Sequence, residues 1–198
     1  MRLPVLLAIV LLLGTASAAM AEEAAEAAAW IVQSRGLADR LGGELKAELG
    51  RALKAGGPVA AIDVCRSRAP EIAARLSAES GAVVGRTALR VRNPANAPDE
   101  LQRAVLEQFR TELASGRFEG PLEAAFEINR GGRVERRYMR AIATEPVCLS
   151  CHGASLAPDI AAAITQAYPS DTAVGFEPGQ LRGAFSVTWP ASAAAAMR

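Results

Sequence analysis

The chain has one histidine in 198 residues, His152. Any site that needs two imidazoles is excluded, and a metal held by His152 must take its second protein ligand from another residue type. Lysine occurs only at Lys46 and Lys54, and the remaining basic residues are arginine. With 22 basic and 21 acidic residues, charge is nearly balanced, so neither a nucleic-acid partner nor strong attraction to a membrane surface is indicated. The abundance of alanine and arginine fits a GC-rich genome better than a binding task. Aromatic residues make up 5% of the chain, which is lean for a hydrophobic core. There is no internal repeat, and no low-complexity stretch beyond the alanine-rich tail of residues 191–198.

Long apolar runs are also missing after the first twenty residues. Residues 1–21 carry Arg2, an apolar run from Leu3 to Leu13, and small residues around Ala16-Ser17-Ala18 and Ala19-Met20-Ala21. This is the pattern of a cleaved secretory signal, and the run falls short of the roughly 20 apolar residues that span a bilayer. No cysteine lies near the cleavage site, which argues against a lipoprotein. Removing Arg2 leaves 21 basic and 21 acidic residues. The expected product is a soluble periplasmic protein with no transmembrane segment.

What the chain does have is Cys148-Leu149-Ser150-Cys151-His152. Two thiols separated by two residues can each add to one vinyl group of a porphyrin, and the following histidine can then ligate the iron. A redox disulfide and a Cys3His zinc site are the rivals. No βαβ unit precedes Cys148 as it does in thioredoxin-like motifs. A zinc site would have to chelate through the adjacent residues Cys151 and His152, against the usual ligand spacing. Covalent haem is the stronger reading. A buried porphyrin would also add apolar bulk to a core short of aromatics.

Periodicity orders the rest. Residues 22–57 read as an N-terminal helix: Glu22, Glu23 and Glu26 suit its start, and Leu37, Leu41, Leu45, Leu49 and Leu53 recur every fourth residue. Gly56-Gly57-Pro58 ends it and opens a second helix to about Ser80. A strand is expected from Ala82 to Leu89, and an irregular loop over 92–98 because of its two prolines. A helix is expected from Asp99 to Ser115. Leu122 to Ile128 alternates as a half-buried strand; Asn129 to Gly132 is a turn, and Val134 to Ala143 the return strand. A short helix over Pro158 to Ala167 precedes a last strand with Leu181, Gly183, Phe185, Val187 and Trp189 on one face. The order predicts an α+β domain, an antiparallel sheet packed with helices over residues 58–190.

Cys65 is left over once Cys148 and Cys151 carry thioethers. Ile62, Cys65, Ala69, Ile72 and Leu76 follow steps of three and four, which turns Cys65 inward. Cysteine is often simply a small buried hydrophobe. An unpaired thiol in an oxidising compartment nevertheless invites another explanation. For the second iron ligand the residues leave Cys65, Lys46, Lys54, Met139 or an open position.

The blocks Ile62-Asp63-Val64-Cys65 with Ala69-Pro70, Gly85-Arg86-Thr87, Arg92-Asn93-Pro94 and Pro98-Asp99, Cys148-Leu149 and Cys151-His152-Gly153, and Tyr168-Pro169 with Asp171, Ala173, Gly175-Phe176, Arg182 and Gly183 resemble, in order, those of the bacterial "c-type haem family protein" group. The resemblance runs from about Ala60 to Val187. It implies a PAS-like fold and a single haem c with Cys148 and Cys151 as attachment points and His152 and Cys65 as axial ligands. Ala88 stands where that group leads us to expect serine. Arg86 and Arg92 lie in shared blocks and are candidate contacts to the haem propionates.

A sulfur ligand favours ferric iron. If it were held ~10⁵-fold more tightly in that state, the potential would drop by roughly 0.3 V. Reduction is then expected to weaken the sulfur bond and open a site for a diatomic gas. The expected role is a redox or gas sensor read by a separate signalling protein, with an electron-transfer cytochrome as the alternative. With both axial positions filled, an enzyme is not expected. A homodimer through the N-terminal helix is a further expectation.

Overall fold

The computed structural model describes the backbone of residues 5–117 and 120–191, with side chains from residue 29 onward. The side chains of the expected signal segment, and all but Ala191 of the alanine-rich tail, lie outside the described residues. The long helix α1 is assigned from Val5 to Asp63, so it begins before the expected Glu22. Gly57 inside it is non-helical at φ 71 and ψ −168. That left-handed value favours glycine, and Pro58 follows it at the start of the resumed helix. The expected break is therefore present, but as a kink.

A π-helical turn, Val64–Arg68, joins α1 to α2, Ala69–Ser80. Gly81 closes α2 in the left-handed conformation. Next come β1 (Val83–Thr87), a 3₁₀ turn over Pro94–Asn96 inside the expected loop, and α3 (Glu100–Ser115). Asp99 caps α3 reciprocally: its side chain accepts from Gln102 N at 2.8 Å, and Gln102 Oε1 accepts from Asp99 N at 3.0 Å. The strands β2 (Glu123–Arg130) and β3 (Arg133–Ala143) form a hairpin. A 3₁₀ turn over Pro146–Cys148 leads into one helical turn, α4 (Leu149–His152), then α5 (Pro158–Ala167) and β4 (Leu181–Trp189).

The four strands form one antiparallel sheet in the order β1-β4-β3-β2. With helices on both faces, the architecture is α+β. On one face, Trp30, Leu37, Ala38 and Leu41 of α1 and Ile72 and Leu76 of α2 pack on Val84, Tyr138, Val187 and Trp189. On the other, Leu106 and Phe109 of α3 pack on Met139, Leu181 and Ala184. A smaller cluster joins Ile62 near the end of α1 to Ile160 and Ile164 of α5 and to Tyr168.

Two expectations need correction. Met139 is 1% exposed within the α3 cluster, so it cannot serve as an iron ligand on the opposite face. Leu181 does not share a face with Val187 and Trp189. A register irregularity between Ile142 and Ala143 breaks the β3–β4 alternation, and beyond it Leu181 turns to the α3 side. Among the described residues no helix is long and apolar enough to cross a membrane.

Candidate cofactor site

Between the later half of α1, the π turn and the ends of β1 and β4 lies a cavity of about 220 Å³. The leucine ladder of α1 supplies its apolar wall. Leu37 and Leu41 belong to the core, whereas Leu45, Leu49 and Leu53 face the cavity. Ile62 and Phe185 add to this wall. All three cysteines and His152 line the same space.

The short turns position the Cys148–His152 segment. Cys148 and Cys151 sit three residues apart around α4, which brings both thiols to one side of a helical turn. Both are half-buried and free. Burial, together with the neighbouring Cys65 and Cys148, pushes the Cys151 thiol up despite the Ser150 hydroxyl and Arg92. Cys65 sits on the π turn, half-buried and facing the cavity. Irregular turns of this kind recur at functional sites. Among the described residues, no group of three or more His, Cys, Asp or Glu could hold a metal ion. The Cys3His zinc alternative therefore finds no matching cluster there.

Backbone bonds lock His152 in place. Its carbonyl accepts from Phe176 N at 2.9 Å, and the next carbonyl, of Gly153, accepts from Gly175 N at 3.0 Å. Nδ1 lies 2.6 Å from the Ala173 carbonyl oxygen. Only a protonated Nδ1 can donate there, so the neutral ring presents an unprotonated Nε2. Burial first, then the charges of Arg182 and Arg92, holds the imidazole pKa down to about 3. The ring is thus neutral at any ordinary pH, as metal ligation requires.

Three arginines, Arg86, Arg92 and Arg182, converge on the cavity. Arg92 is held by protein acceptors. Its Nη2 donates to Cys151 O at 2.7 Å, to Asp171 Oδ2 at 2.9 Å and to Ala173 O at 3.3 Å. The Arg86 guanidinium forms no hydrogen bond or ion pair among the described residues, while its backbone runs in the β1–β4 ladder. Arg182 has one long bond, to Arg90 O at 3.4 Å, and stacks over Phe176 with Arg90 on the same ring. Burial lowers the pKa of both Arg86 and Arg182, the latter to about 10, where Arg86 and Arg92 add repulsion. Tyr168 also lines the cavity, and its hydroxyl has no hydrogen-bond partner among the described residues. Burial, then Cys65, pushes the phenol up to about 12.

The cavity thus combines an apolar wall, two cations short of counter-charge, two thiols on one helical turn and an imidazole with a free nitrogen. It suits a large, flat, apolar ligand with anionic substituents and a metal at its centre, which is the chemistry of haem. Arg182 was not singled out as a site residue in the sequence. Strict alternation places it on the α3 face, and the bulge turns it into the cavity. The departure at Ala88 does not abolish local bonding, since Thr87 Oγ1 and Ala88 N both donate to Asn96 O, at 3.1 and 3.3 Å. Lys46 lines the cavity but is engaged with Glu145 at 2.5 Å, and Lys54 is exposed.

A family model described as "Tll0287-like" matches residues 15–190. Among solved structures, the crystal structure of the cyanobacterial heme-protein Tll0287 is similar at 33% sequence identity. The match covers 63% of this chain and 70% of that one, with a TM-score of 0.48. None of the curated proteins compared with the chain matches it.

Proposed function

The chain belongs to the Tll0287-like family, and from that premise we propose that it is a periplasmic c-type haem protein whose single haem acts in redox or diatomic-gas sensing. The observation that carries the reading is the convergence of Cys148, Cys151 and His152 on a leucine-walled cavity that also holds Arg86 and Arg182. Each thiol adds across a vinyl double bond. The sulfur–carbon bond forms at one carbon and the thiol hydrogen goes to the other, so attachment needs no oxidant. His152 would offer Nε2 to the iron, and Cys65 is the protein sulfur in the cavity that would complete its protein ligation. The bound haem would supply a one-electron iron centre.

Arg86 and Arg182 are suited to the two propionates, because each carboxylate would neutralise a buried guanidinium that has no ion-pair partner among the described residues. Arg92, expected to do this, is occupied by Asp171 and two carbonyls. The PAS-like character, the signal peptide and the absence of enzymatic turnover belong to the same proposal. The last rests on His152 and Cys65 both being committed to the iron in this proposal and on His152 being the only imidazole.

A pyridine haemochrome assay with intact-mass measurement tests the proposal, on full-length chain exported with a haem-attachment system. One haem per chain, retained on denaturation, is expected. A colourless product with the mass of the polypeptide alone overturns it. Cys65→Ala should shift the Soret band and the ferric ligand-field spectrum, and unchanged spectra would remove Cys65 from the iron.

Electron transfer is the second reading. Val147, adjacent to Cys148, is 51% exposed, so a redox partner could reach the attachment edge. Rapid carbon monoxide or nitric oxide binding by the reduced protein, with loss of sulfur ligation, supports sensing. Reversible cycling with unchanged ligation supports electron transfer.

A further inference from the structure

We propose that Arg92 and Asp171 form a buried positioning pair that sets both the orientation and the donor strength of His152. The inference rests on His152 being the proximal ligand, but its observations are independent of the cofactor. The two side chains are 7% and 8% exposed and 2.9 Å apart. A buried ion pair is an expensive way to fill space, and apolar residues of similar volume often serve stability as well or better. Its retention here has a visible geometric use.

The pair meets at one residue, Ala173. Ala173 O accepts from His152 Nδ1 at 2.6 Å and from Arg92 Nη2 at 3.3 Å. Asp171 Oδ1 accepts from Ala173 N at 2.8 Å, which fixes the same residue through its preceding peptide. Arg92 Nη2 also donates to Cys151 O, the carbonyl preceding His152, at 2.7 Å. One guanidinium therefore ties the peptide before the imidazole to the carbonyl that receives its proton. Thr172 N donates to Val91 O, and Val91 N to Thr172 Oγ1, so the Arg92 backbone is docked on the same loop.

The electronic consequence follows from sharing. A carbonyl that already accepts from a cation is a poorer acceptor for a second donor. The Nδ1–H bond is then less able to push negative charge into the ring, and His152 behaves as a neutral imidazole. Asp171 could act in the opposite sense if it accepted from His152 directly. In this structure its two oxygens go to Arg92 and to the Ala173 amide instead.

The test uses the full-length haem-loaded chain and the double variant Arg92→Gln/Asp171→Asn, which removes both charges and leaves the net charge unchanged. Releasing the carbonyl from Arg92 should shift the ferric/ferrous equilibrium about tenfold toward ferric, a fall of ~59 mV for one electron. The ferric electron paramagnetic resonance g-values should move with it. Arg92→Lys retains the cation without the fork and should recover part of the shift. It is also the variant to read if the double variant does not fold. A separate measurement uses haem-free full-length chain labelled with ¹⁵N-histidine, where one residue gives one imidazole. Wild type should show the Nδ1-protonated tautomer, and the double variant should keep it with a stronger bond to Ala173 O, read as a downfield shift of the Nδ1 proton. Potential, g-values and Nδ1 proton shift all matching wild type would reduce the pair to a structural role and overturn the proposal. Failure of wild type to bind haem would strike the proposed function alone, since the proton-shift measurement still decides this inference.

Discussion

The indole Nε1–H of Trp189, at the end of β4, donates to the Ser34 hydroxyl on α1 at 2.8 Å, across 155 residues of chain. Ser34 in turn donates to Trp30 O at 2.8 Å. The serine is fully buried and the tryptophan 4% exposed, so neither can turn to water instead. This bond fixes where along the sheet α1 docks, and hence where Leu45, Leu49 and Leu53 meet the cavity. Ser34→Ala leaves the buried indole N–H unsatisfied and should cost about 1–3 kcal/mol. Denaturant unfolding of the variant checks it.

Gly183 is the point where β1 and β4 come too close for a side chain. A Cβ there would sit 2.6 Å from Thr87 O and 3.1 Å from Ala88 Cβ. Because the nearest atom is backbone, no rotamer change relieves it. Gly183→Ala should force the strands apart and cost roughly 1–3 kcal/mol, the range for overpacking. It should also lower cofactor loading, since Gly183, Thr87 and Ala88 all line the cavity. Thermal unfolding together with haem-to-protein stoichiometry reads both effects.

Much of this architecture is legible in the residues, for physical reasons specific to each element. The β2–β3 hairpin follows from strict alternation around Asn129 to Gly132, and α5 from a proline start and an apolar stripe. The parts that were not legible depend on interruptions of period. The π turn over Val64–Arg68 changes the helical phase at Cys65, and a bulge reverses the facing of Leu181 and Arg182. Arg92 was recognisable as a residue of interest. Its partner Asp171 lies 79 positions away, and only the fold shows that the guanidinium is already occupied.

Arg86 and Arg182 should give opposite signs in the two forms of the protein. Burial lowers both pKa values, so without a counter-anion each cation is disfavoured in the folded state at neutral pH. Arg86→Gln or Arg182→Gln is therefore expected to stabilise the haem-free chain, by on the order of 1 kcal/mol. With haem bound, the same changes leave a propionate without its cation and should destabilise. Melting curves of each variant in both forms check the crossing of sign. Parallel shifts in the two forms would remove these arginines from the carboxylates.

His152 makes the stability of the haem-free chain depend on pH in a calculable direction. Its folded-state pKa is depressed to about 3, whereas an unfolded histidine titrates near ~6.5. Between those values the unfolded chain binds a proton that the folded chain refuses, so stability falls as pH falls. The slope reaches at most ~1.4 kcal/mol per pH unit. Between about pH 6.5 and 5 the carboxylates remain largely ionised, and this chain has no second histidine to share the effect. Denaturant midpoints across that window should fall for wild type and stay level for His152→Gln. A wild-type haem-free chain whose stability is flat over this range would show that the ring accepts a proton in place, contrary to its burial and to the charges of Arg182 and Arg92 beside it.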